Sequence, residues 1–84
     1  MKLVYFAWIR ERIGRAEEVL ELPPEVSTVQ GLLGWLKTRG EEYHYALEND
    51  EVVRVAIDHN HVEDRNTPIG SATEIALFPP MTGG

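Results

Sequence analysis

The chain has 84 residues, no cysteine and a formal net charge of −6. That length supports one domain, residues 1–84, with one modest core that buries roughly 60–65% of the unfolded surface; the missing cysteines exclude disulfides, thiolate metal sites and cysteine nucleophiles. The acidic balance repels phosphate backbones, which argues against nucleic acid, and favours a partner with a basic face.

Residues Lys2 to Ile9 are rich in β-branched and aromatic types and read as a first strand. The run resembles the start of a secretion signal, but Arg10, Glu11 and Arg12 follow at once and no small-residue cleavage site appears. It is also too short to span a bilayer, so a cytoplasmic protein without membrane attachment is expected. A turn at Gly14-Arg15 leads to a second strand, Glu17 to Leu22, which Pro23-Pro24 stops because proline cannot donate to a ladder. Ser27 and Gln30 have the spacing of a capping box. Val29, Leu32, Leu33 and Leu36 then mark one face of a helix ending near Gly40. Gly31 and Gly34 each weaken that helix by about 1 kcal/mol relative to alanine, so packing must compensate. Residues 41–48 read as a short helix or a helical turn.

Asn49-Asp50 marks a turn, and Val52 to Ile57 a third strand. A turn at Asp58 to Asn60 leads to a short strand near Val62, a loop through Asn66-Thr67-Pro68 and Gly70-Ser71, and a last strand, Glu74 to Phe78. The order β-β-α-β-β-β, with one main helix, predicts an α+β domain: a mixed sheet of about five strands packed on that helix. A β-grasp domain has this order, though the order alone does not exclude other α+β folds.

A single helix covers only one sheet face. Alternation along the first strand groups Val4, Phe6, Trp8 and Arg10, with Arg10 pointing that set outward. Glu74, Ala76 and Phe78 share the outward face of the last strand. An exposed apolar patch of Phe6, Trp8 and Phe78 is therefore expected, and such patches on small domains mark partner sites.

The rest of the chain offers little chemistry. His59 and His61 are two apart beside Asp58, Glu63 and Asp64, but they fall at a turn without a third histidine nearby, so solvated side chains are expected and no metal. The carboxylates, Glu17, Glu18 and Glu21 among them, are expected to be solvated. No acid–base pair, nucleophile motif or phosphate-binding glycine loop stands out. What remains is Gly83-Gly84, read as a free C-terminus. A terminal glycine carries a carboxylate with nothing crowding its acyl carbon, and two glycines can thread a narrow cleft. Pro79-Pro80 stiffens the exit from the last strand, so residues 79–84 are expected to form an extended, flexible tail. Adenylation by ATP would activate the Gly84 carboxylate, and a sulfur nucleophile would then convert it to a thiocarboxylate.

The stretch from Glu74 through Pro79-Pro80-Met81-Thr82-Gly83-Gly84 resembles the C-terminus of the small, sulfur-carrier subunits of molybdopterin synthases. Leu3-Val4-Tyr5-Phe6-Ala7 with Arg10-Glu11, Val55-Ala56-Ile57-Asp58 and Thr67-Pro68-Ile69 are similar to other parts of that family. The resemblance implies a ubiquitin-like β-grasp fold. It implies an ATP-dependent activating enzyme that adenylates Gly84, with Gly83 beside it, and a large catalytic subunit that receives the tail in a heterotetramer. Sulfur would pass to cyclic pyranopterin monophosphate to form the molybdopterin dithiolene. The chain itself would bind no cofactor and catalyse nothing alone. Phe6, Arg10, Val62, Phe78, Pro79, Pro80, Met81 and Thr82 match the partner-facing positions. Asp58 and Ala72-Thr73 depart from the family's usual asparagine and Gly-Asp, which bears on local turns. Three other readings remain at this point: sulfur delivery to a tungsten-pterin or thiazole pathway, a ubiquitin-like modifier joined to lysines through Gly84, and a plain interaction module with an incidental tail.

Overall fold

The computed structural model describes residues 1–80. In chain order the elements are β1 (Lys2–Tyr5), α1 (Ala7–Ile13), β2 (Glu17–Val19), α2 (Val29–Lys37), α3 (Glu41–Ala46), a 3-10 turn (Asp50–Val52), β3 (Arg54–Ile57), β4 (Asn60–Val62) and β5 (Glu74–Phe78). The sheet order is β2-β1-β5-β3-β4. β5 lies in the middle, parallel to β1 and antiparallel to β3. The mixed five-stranded sheet expected from the sequence is present.

Period-two alternation decides what the sheet buries. Leu3 and Tyr5 of β1 pair with Ile75 and Leu77 of β5, and Val55 of β3 pairs with Leu77 from the other side. All five are buried. The helical face read from the sequence is also correct: Val29, Leu32, Leu33 and Leu36 are fully or nearly fully buried against this side. Ile9 and Ile13 of α1 and Tyr43 and Ala46 of α3 complete the layer. Among the described residues, no helix covers the opposite sheet face.

Several expected boundaries move. β1 ends at Tyr5, not Ile9, and the chain turns into α1. Phe6 carbonyl accepts from the Ile9 and Arg10 amides at 3.1 and 3.2 Å, which starts the helix. The β-rich composition of Leu3 to Ile9 masked this, while Ile9 and Ile13, one turn apart, carried the helical signal. Gly14, with φ 91°, closes α1 by donating to the Arg10 carbonyl at 2.8 Å. Trp8 therefore leaves the expected outward set; Arg12 lies over its ring at 4.9 Å and over Tyr45 at 4.2 Å. β2 stops at Val19 rather than Leu22, and β3 begins at Arg54 rather than Val52. Thr28, not Ser27, caps α2, its hydroxyl accepting from the Gly31 amide at 3.1 Å. α2 stops at Lys37, short of Gly40, which instead precedes α3. The ambiguous stretch 41–48 contains that third helix. One main helix thus becomes three α-helices among the described residues.

Glu18 is the largest departure from the expected solvated carboxylates. It sits opposite Leu3 on the buried side of the β1–β2 pair, and its side chain is 7% exposed. Tyr5 and Tyr43 each donate a hydroxyl to Oε2 at 2.6 Å, and Arg39 donates at 3.0 Å. Arg15 adds a contact to Oε1 at 3.1 Å. One carboxylate thereby ties β1, β2 and α3 together. Burial alone would raise its pKa, but the hydrogen bonds from Tyr43, Tyr5 and Arg39 outweigh burial and hold it below the ordinary value of 4.5. Burial and the bond to Glu18 push the Tyr5 phenol upward.

A depressed carboxylate contributes stability that is present above the unfolded-state value and is lost as pH falls through the folded-state value. Urea midpoints should therefore fall below about pH 4.5, and Glu18→Gln should flatten that acid limb. Glu18→Ala should destabilise by about 2 kcal/mol at neutral pH, because the buried Tyr5 hydroxyl is left without its acceptor. Urea titrations from pH 3 to 7 measure both.

Candidate functional site

The uncovered sheet face carries the chemistry-free surface from which a tail would depart. On β5, Ala76 and Phe78 alternate with the buried Ile75 and Leu77. Ala56 of β3 lies directly opposite Ala76. Two alanines face to face leave a low floor, and the side chains around it stand higher. Phe6 and Phe78 flank this floor, Pro79 and Pro80 continue one wall, and His59 reaches in from the β3–β4 turn. Ala7 adds a third small residue. Together they enclose an open groove of about 690 Å³ along β5. Phe6 is 46% exposed. The His61 ring lies 5.8 Å from the Phe78 ring at a tilt of 52°, which supports Phe78 from its other side.

The turn that places His59 is locally determined. Ile57 pairs with Asn60, leaving Asp58 and His59 as a two-residue hairpin loop with φ 48° and 71°. Two positive φ values are those of a type I′ turn, in which aspartate is at ease. The Asp58 carboxylate then anchors the turn to the start of β5. It accepts from the Thr73 hydroxyl at 2.8 Å, the Glu74 amide at 2.9 Å and the Thr73 amide at 3.0 Å. These bonds, the Thr73 hydroxyl foremost, hold the Asp58 pKa below its ordinary value. His59 itself is 85% exposed and lies 3.8 Å from Glu74.

The sequence-derived site residues divide. Phe6, Phe78, Pro79 and Pro80 meet at the groove. Arg10 is exposed on α1. Val62 pairs with the buried Val55 and packs against the core, on the sheet face away from the groove. Met81, Thr82, Gly83 and Gly84, and with them most of the expected tail 79–84, lie outside the described residues. Ala7, Ala56, Ala76 and His59 were not singled out as site residues; for Ala56 and Ala76 the outward alternation of β3 and β5 was the available signal. Among the described residues no three histidine, cysteine, aspartate or glutamate side chains gather as a metal site. No helix there is long and apolar enough to cross a membrane. The groove is apolar, open and free of paired acids or bases, which suits docking of a macromolecule better than bond-making.

The ThiS family matches residues 3–84. The chain is 32% identical over 84 residues to the molybdopterin synthase sulfur carrier subunit of Dictyostelium discoideum, covering 99% of this chain and 94% of that one. It is 30% identical to the protein of the same name from Haemophilus influenzae, covering 100% and 99%. It is 28% identical to that from Escherichia coli, again covering 100% and 99%. Among solved structures, a protein assigned as molybdopterin converting factor subunit 1 from Pyrococcus furiosus superposes with a TM-score of 0.73 at 28% identity, over 95% of each chain. SAMP1 from Haloferax volcanii superposes at 0.71 with 24% identity, over 100% of this chain and 98% of that one, and shows the shared fold.

The Asp58 anchor yields a check that needs no partner. Asp58→Ala removes all three acceptor bonds and should lower the urea midpoint. Asp58→Asn keeps an acceptor oxygen and should recover most of it. Equal midpoints for the two variants would show that the carboxylate bonds do not anchor the turn.

Proposed function

The chain belongs to the ThiS family, and we propose that it delivers sulfur from the carboxylate of Gly84 to a pterin precursor held by a larger catalytic subunit. Its function is that of a sulfur carrier subunit of molybdopterin synthase; full-length similarity to three carriers of that name carries this assignment. The fold is ubiquitin-like. The stepwise chemistry follows from what a carboxylate can do. The Gly84 carboxylate attacks the α-phosphate of ATP within an activating enzyme, forming an acyl adenylate and releasing pyrophosphate. A sulfur nucleophile displaces AMP, leaving the terminal acyl group as a thiocarboxylate. The large subunit then transfers that sulfur to cyclic pyranopterin monophosphate, and water restores the carboxylate.

The chain's own residues contribute placement. β5, bonded on both sides, gives the tail a rigid base. Pro79 and Pro80 offer no amide to a neighbouring strand. The groove beside them offers Phe6 and Phe78 as apolar anchors for a docking subunit, and aromatic anchors of this kind dominate interface energetics. The net charge of −6 favours encounter with a basic docking face.

Incubation with the activating enzyme, ATP and a sulfur donor should raise the intact mass by the exchange of one oxygen for sulfur. An unchanged mass refutes the carrier chemistry. Deleting Gly84 should abolish sulfur transfer while leaving the urea midpoint unaltered, and Phe78→Ala should weaken docking to the large subunit at least tenfold in a binding titration.

A further inference from the structure

Ala7 has φ 51°, the left-handed region that L residues other than glycine, asparagine and aspartate seldom adopt. No ligand or catalytic role explains it, and alanine has no side-chain hydrogen bond to hold it there. Its position is informative. The β1–β5 register pairs Lys2 with Glu74 and Tyr5 with Leu77. Phe6 still donates to the Leu77 carbonyl at 3.1 Å, and this is the last bond of that pairing. Continued in the same register, β1 would set residue 7 opposite Pro79 and residue 8 opposite Pro80. Instead the backbone reverses at Ala7, and the Arg10 amide bonds to the Phe6 carbonyl at 3.2 Å. On its other side, β5 pairs with β3 only as far as Phe78 opposite Arg54. Among the described residues, Pro79 and Pro80 therefore have no strand beside them.

We propose that Ala7 is a positioning residue for sulfur transfer: its left-handed backbone ends the β1–β5 hydrogen bonding at Phe6 and thereby sets where Pro79 leaves the sheet. The same reversal keeps Phe6 at the rim of the groove, beside Phe78, rather than inside a longer strand. This rests on the carrier reading of Gly84. A residue averse to left-handed φ lowers the population of the kinked state. The large subunit then binds a minor conformer, so the apparent KM rises by the reciprocal of that population while kcat holds.

Asparagine and leucine separate backbone from bulk, because they are close in size and shape but only asparagine favours left-handed φ. Full-length wild type, Ala7→Gly, Ala7→Asn, Ala7→Leu and Ala7→Val are converted to thiocarboxylates and assayed with the large subunit and cyclic pyranopterin monophosphate. The carrier KM should order by left-handed preference, with Ala7→Val about tenfold above Ala7→Asn and Ala7→Leu between them, at similar kcat. Amide exchange at Arg10 should quicken in the leucine and valine variants and stay slow with glycine and asparagine. If valine prevents folding, the asparagine–leucine pair decides the matter. A KM that follows side-chain size, with asparagine as impaired as leucine, overturns the proposal, as does uniform Arg10 exchange across the series. A wild-type chain that cannot be charged with sulfur would instead refute the carrier reading, and the exchange series would still test the backbone claim.

Discussion

β5 is hydrogen-bonded on both flanks, to β1 in parallel and to β3 antiparallel, and nearly everything at the working end follows from that placement. A central strand is the least mobile element of a small sheet, because opening it breaks two ladders at once. Its inward residues, Ile75 and Leu77, are wholly buried. Its outward residues lead along the open face to Phe78 and the two prolines. Pro79 and Pro80 continue directly from this strand, so the chain leaves the sheet from an element bonded on both sides.

The helical layer beneath is fastened by packing and by one polar hub. Apolar burial from α1, α2 and α3 is undirected, so it does not by itself fix α3 relative to β1 and β2. The Glu18 carboxylate supplies direction: it accepts from Tyr5, Tyr43 and Arg39 at once. Each of those donors would be costly to leave unpaired in its partly buried position. The hub lies on the buried side of the sheet and the groove on the open side, so the fold's principal polar anchor is kept apart from the groove.

Much of the architecture was legible in the chain. β5 lies where Glu74 to Phe78 predicted it, the apolar face of α2 is the one its spacing marked, and the Asp58-His59 turn falls within the expected hairpin. Those signals are local: alternation, helical period and turn chemistry act over a few residues. The misreadings also share a cause. Leu3 to Ile9 has strand composition throughout, yet Ile9 is wholly buried within α1. Ser27 and Thr28 are equally good caps in sequence, and the bridge between Thr28 and Pro68, a contact distant along the chain, accompanies the choice of Thr28. Glu18 looked like any strand carboxylate, since three of its four donors come from residues 13 to 25 positions away.

The sequence by itself determined that the chain has no cysteine and that a proline pair leads to Gly83-Gly84, because residue type and order along the chain are sufficient for those statements. It also determined the outward alternation that places Ala76 and Phe78 on one face. Tertiary structure alone decided that β1 stops at Tyr5, that Phe6 comes to stand beside Phe78 although 72 residues separate them, and that Ala56 and Ala76 form a floor between them. Those outcomes depend on register and on competition for burial between distant segments, and neither is written in any local stretch of the chain.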